Sequence, residues 1–156
     1  MSRRRERGFG AIAAILVLVI LGGLAAAIVS FASGQQVASA QDIQASRAWL
    51  AAHAGTEWGL ARALQANDCG TTTWTHPDYA DMRVTVVCTR GVYNEGETTP
   101  GNRRAIAVFR IVATACNGAG ACPDAAAVGN LLYVERQRVA VAFCQLDAAG
   151  NCLPGS

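Results

Sequence analysis

Two histidines, six cysteines and three tryptophans are the side chains of greatest chemical reach in this chain of 156 residues. His53 and His76 are its only conventional bases near neutral pH. Neither lies in a recognisable catalytic motif. His53 falls beside Gly55 on an expected helix surface, and His76-Pro77-Asp78-Tyr79 reads as a loop in which the histidine and Asp78 form a solvated pair rather than a dyad. No phosphate loop, nucleophile elbow or paired metal motif occurs, so neither an enzyme nor a cofactor or metal site is expected. The six cysteines are Cys69, Cys88, Cys116, Cys122, Cys144 and Cys152. An even count in a small exported domain reads as disulfides. Fifteen pairings are open, of which the sequential set Cys69–Cys88, Cys116–Cys122 and Cys144–Cys152 is the simplest. Zinc, the rival reading, lacks a C-x-x-C pair or a nearby histidine. Trp49, Trp58 and Trp74 could make a ligand face, but packing is preferred because large aromatics contribute most by burial.

The composition is 52% hydrophobic and 15% charged, too apolar for a chain disordered throughout. All thirteen basic residues are arginine, and Arg3, Arg4, Arg5 and Arg7 precede the first apolar run. Beyond residue 8, nine arginines face ten acids. That balance argues against nucleic acid as a partner, because phosphate binding needs basic side chains massed on the folded part.

Residues 9–31 contain neither charge nor proline. As a helix they reach about 34 Å, enough for a hydrocarbon core of about 30 Å. The preceding arginines favour a cytoplasmic N-terminus, with everything from Ser33 onward across the membrane. Three readings compete. The segment is a plain anchor, a cleaved secretory signal using Ala38-Ser39-Ala40, or a retained helix that follows a short leader cut close to the N-terminus. A secretory signal ordinarily has an apolar region of about 7 to 15 residues, and this run is longer.

The junction Arg7-Gly8-Phe9, a short basic leader ending in glycine before phenylalanine and an unbroken apolar helix, resembles the signal of type IV pilins and type II secretion pseudopilins. The resemblance implies cleavage after Gly8 by a prepilin peptidase and methylation of Phe9. It also implies that the helix partners lipid first and other pilins and minor pilins later, through an inner-membrane assembly platform. Such pilins ordinarily carry glutamate at the fifth mature position, where this chain has Ala13. That departure points to a minor subunit. The stretch AAHAGTEWGLARAL of residues 51–64 resembles the stem of PilX-like and MshP-like minor pilins, the latter from MSHA-type pili. The expected function is assembly, initiation or tip capping of a filament, from the inner membrane to the pilus and cell surface. The alternative is a membrane-tethered adhesin or binding module with no filament role, and a DNA-binding pilin comes third.

The expected fold is α+β, a lollipop in which a long N-terminal helix packs on a small antiparallel β-sheet head. Its parts are a leader at 1–8, an apolar half-helix at 9–31, a stem at 32–67 and a disulfide-tied head at 68–156. Pro77 is the first proline, so the helix can run from Phe9 to Ala66, about 87 Å. Leu50, Ala54, Ala61 and Leu64 recur at helical spacing as a spine, with Ile43, Trp49 and Trp58 nearby. Glu57 and Arg62 line its solvent face or touch the head. Asn67-Asp68-Cys69-Gly70 ends the helix, with glycine expected to take left-handed geometry.

Residues 83–89, 105–115 and 131–143 read as strands, the second of them central. The last puts Leu131, Tyr133, Val139, Val141 and Phe143 on one side and Arg136 and Arg138 on the other. Asn94-Glu95-Gly96, Pro100-Gly101-Asn102 and Asn117-Gly118-Ala119-Gly120 are expected in short connections. The apolar face of the sheet should then cover the helix. The resemblance further implies a disulfide-bounded C-terminal loop, the part Cys144–Cys152 would play.

Overall fold

Alanine, leucine, glutamine and arginine, with no proline before residue 77, leave the chain free to remain helical from its first turns. In the computed structural model, which describes residues 7–153, α1 spans Arg7–Gln65. It ends just before Asn67-Asp68, as expected, but the left-handed residue there is not Gly70. Asn67 takes the left-handed conformation (φ 53°), which asparagine tolerates better than most side chains. The Arg62 carbonyl then accepts both the Ala66 and Asp68 N–H groups at 3.1 Å.

Four strands follow: β1 (Thr71–Thr75), β2 (Arg83–Thr99), β3 (Asn102–Cys116) and β4 (Glu135–Gln145). They form one antiparallel sheet in the order β1-β2-β3-β4, which places β3 inside the sheet, as expected. β1 has no counterpart among the expected strands. Asn94-Glu95-Gly96 is no connection, since it lies within β2, where the pairing register with β3 shifts. Gly96 there has φ 109°, and the irregularity is absorbed as a bulge instead of ending the strand. The tight turn is Pro100-Gly101, with Gly101 at φ 85°.

The last strand also differs from expectation. Residues 131–134 lie in the β3–β4 connection, which is residues 117–134 rather than a short link. Asn117 organises it: its side-chain amide donates to the Leu132 carbonyl at 2.8 Å and accepts from the Val134 N–H at 2.9 Å. Those backbone groups are therefore occupied by a side chain and not by a neighbouring strand.

The chain divides into two units, residues 1–42 and residues 43–156. The second has its own core. Met82, Val84, Val86, Phe109, Ile111 and Ala113 are fully buried with Ala48, Ala51, Ala52 and Ala63 of the helix. Three disulfides close it in sequential order, Cys69–Cys88, Cys116–Cys122 and Cys144–Cys152, with Cα separations of 5.0, 5.7 and 5.4 Å.

Candidate functional site

Within the first unit, Gly10–Ala32 has a mean hydropathy of 3.0 and none of it is buried. By length and composition this segment can cross a membrane. Ile12, Leu18, Val19 and Phe31 all stand open, Phe31 at 75%. Ala13, exposed on the same segment, brings no charge to it. A helix apolar all round needs lipid or partner helices about it. Of the expected leader, residues 1–6 lie outside the described residues, as do the side chains of Arg7 and Phe9, whose backbone, like that of Gly8, belongs to α1.

In the second unit the helix meets the sheet through its smallest residues. A Cβ added at Gly55 would stand 2.8 Å from Val84 Cγ1 and 2.9 Å from Ala113 Cβ, and one at Gly59 would stand 2.6 Å from Ile111 Cγ2. With Ala48, Ala52 and Ala63 these glycines form the buried stripe. The expected spine lies elsewhere. Leu50 is 47% exposed, and Ala54 and Ala61 are exposed too, leaving only Leu64 half-buried against the core. Positions 50, 54, 57 and 61 project on the side of the helix opposite Gly55 and Gly59 at 100° per residue.

β4 inverts expectation in the same way. Val139, Val141 and Phe143 face away from the helix and are 47%, 63% and 65% exposed, whereas Ala140 and Cys144 on the other side pack into the core. Phe109 of the neighbouring strand, fully buried and paired with Ala142, fills the inner side there and leaves β4 room for alanine but not for a second large ring.

The far end of the helix is tied to the C-terminal disulfide loop. The Asn67 side-chain amide donates to Asn151 Oδ1 at 2.9 Å, and the Arg90 guanidinium donates to the Gly150 carbonyl at 2.6 Å. Asp147 holds the loop itself, accepting the Asn151 N–H at 2.8 Å and the Ala149 N–H at 2.9 Å on Oδ1. The Asn151 backbone donor is the largest cause holding the Asp147 carboxyl below the usual range. A lowered folded value stabilises the loop above the ordinary aspartate value of about 3.9, and that contribution disappears as pH falls through the lower folded value. We expect an NMR titration to show the Ala149 and Asn151 amides moving together below about pH 4, and Asp147→Asn to abolish that transition. Amides that stay fixed in the native chain down to acid unfolding would contradict this.

The remaining chemistry-bearing residues disperse. His76 is buried, stacked on Tyr79 at 4.9 Å, and accepts the Asp78 N–H on Nδ1 at 3.2 Å. It is therefore not the expected solvated partner of the Asp78 carboxylate. His53 lies 4.0 Å from Glu57 on the helix surface. Arg62 pairs with Asp68 and covers the Trp58 ring at 4.9 Å. Trp58 and Trp74 pack together with centroids 4.6 Å apart, while Trp49, half exposed, is covered by Arg138 at 5.3 Å. In the β3–β4 connection the Tyr133 hydroxyl donates to Glu135 and accepts the Asp124 N–H at 3.1 Å. Burial, and then that bond to Glu135, pushes the phenol up. No group of three His, Cys, Asp or Glu side chains suited to a metal occurs among the described residues.

Sequence reasoning missed the small-residue stripe, although Gly55-x-x-x-Gly59 was legible as a signal of close backbone approach. What the geometry provides is an apolar segment that needs a nonaqueous partner and a disulfide-closed head built on the same helix. Searches of protein families, curated proteins and solved structures find no match to this chain.

Proposed function

We propose that the chain is a minor type IV pilin-like subunit of the MshP-like kind. It is made as an inner-membrane precursor with its N-terminus in the cytoplasm, trimmed after Gly8, methylated at Phe9, and incorporated into a filament through its apolar helix. The work is assembly rather than catalysis. One observation carries the reading: a single helix, α1, supplies both a membrane-length apolar segment and the central element of a disulfide-closed antiparallel head. Leaving lipid is tolerable only where other apolar helices replace it. Ala13 in place of the customary glutamate supports a rare or tip-located role over that of a main building block.

The mass of the mature protein tests this. Loss of Met1 to Gly8 with the gain of one methyl group is the expected result, and Gly8→Leu should block it. An intact N-terminus would instead favour the tethered binding module, and a chain beginning at Gln41 would mean secretion. Either result would overturn the filament reading.

A further inference from the structure

The outer face of the sheet, turned away from α1, is apolar but has a cation at its centre. Val87, Val112 and Val139 pair across β2, β3 and β4 in one row. The next row is Thr89, Arg110 and Val141, and the one beyond it is Gly91, Val108 and Phe143. Arg110 is exposed, and its guanidinium has no acidic partner among the described residues. An exposed apolar surface of this breadth marks an interaction site. An unpaired arginine within it specifies what the partner must bring, which is apolar contact around a carboxylate.

The chain carries that complement on its own opposite side. The back of the helix exposes Leu50, Ala54 and Ala61 around Glu57, whose side chain is 64% accessible. The two surfaces also match in height. Gly55 lies against Ala113 and Gly59 against Ile111, so β3 runs alongside the helix, about two strand residues to four helical residues, each about 6 Å. Arg110 therefore stands roughly level with Ala61, about 6 Å along the axis from Glu57, a separation an arginine side chain can bridge. Because the helix back and the outer sheet face point in opposite directions, two copies in the same orientation can meet by translation alone. Face-to-face pairing of two sheets would oppose Arg110 with Arg110.

We infer that the outer sheet face of one copy docks on the exposed helix back of a second copy, with Arg110 against Glu57. The contact is heterologous and leaves a free face at each end, so it is capable of open-ended growth. It does not depend on the filament reading, because it uses only residues of the second unit.

The full-length protein, reconstituted in detergent micelles at a known protein-to-micelle ratio, is to be followed by sedimentation as its concentration rises. Arg110→Glu and Glu57→Arg should each weaken self-association at least about tenfold, and the double variant E57R/R110E should restore it. Association driven by Gly10–Ala32 would not respond to either charge. Native protein that stays monomeric, single variants that associate like the native chain, or a double variant that fails to recover would each overturn the inference. Circular dichroism of the variants separates a lost contact from a lost fold.

Discussion

Gly59→Leu should unfold the second unit or leave it too unstable to purify, and Gly59→Ala should already lower its stability by about 1–3 kcal/mol. Alanine is ordinarily the better helix former, by up to about 1 kcal/mol over glycine. Here the sign reverses because of what the new methyl meets. Ile111 Cγ2 would lie 2.6 Å from it and Val86 Cγ1 3.0 Å. Both are branch methyls fixed close to a strand backbone, with no flexible end to swing aside. Relief would have to come from moving the helix off the sheet, which opens contacts along the whole stripe. Gly70→Ala is the control, since nothing lies within 4 Å of the position. Urea unfolding of the two variants beside the native protein decides the matter. A Gly59→Ala protein as stable as the native chain would mean that helix and sheet are not in the contact described.

Removing the Cys69–Cys88 disulfide as the double alanine variant should cost about 3 kcal/mol, from the chain entropy of the loop it closes. Its sequence separation of 19 residues is the largest of the three, against 6 for Cys116–Cys122 and 8 for Cys144–Cys152. The shortest loop contributes about 2 kcal/mol on the same reasoning. The position of the first bond adds a local effect. It fastens the chain just beyond Asn67 to β2, where the Cys88 N–H also donates to the Gly70 carbonyl at 3.1 Å. Amide exchange should therefore quicken first at Ala66 and Asp68, at the end of α1, and then at the loop that Asn67 holds. Denaturant unfolding that leaves the midpoint within error of the native value would refute this expectation.

The α+β class was legible because its signals are unambiguous, an uninterrupted apolar helix, then alternation over residues 83–89 and a β-branched run over residues 105–115 that is apolar on both faces. The orientation of those elements was not. Leu50, Val141 and Phe143 drew attention because large apolar side chains are the usual core formers. In this head the decisive residues are small, Gly55, Gly59, Ala51 and Ala113, and a small residue gives little hydrophobic signal whether it is buried or exposed. β1 was overlooked although Thr-Thr-Thr-Trp-Thr is a strong strand composition, because four threonines around one tryptophan show no alternation. Asn94-Glu95-Gly96 has turn chemistry, and a bulge uses the same backbone geometry as a turn, so local sequence did not distinguish the two. The cleavage junction at Gly8 and Phe9 rests on residue types alone, a basic run, a glycine and a phenylalanine.

The alanine and glycine stripe has a thermodynamic consequence of its own. These residues have no rotamers to freeze, so joining helix to sheet along it forfeits almost no side-chain entropy. Recognition then rests on the helix backbone fitting Val84, Val86 and Ile111, and the joint should have a single acceptable register, because these β-branched side chains have few rotamers with which to accommodate a slipped one. Drift at these positions is correspondingly one-sided: they are already near the minimum size, and nearly every mutation open to them makes them bigger.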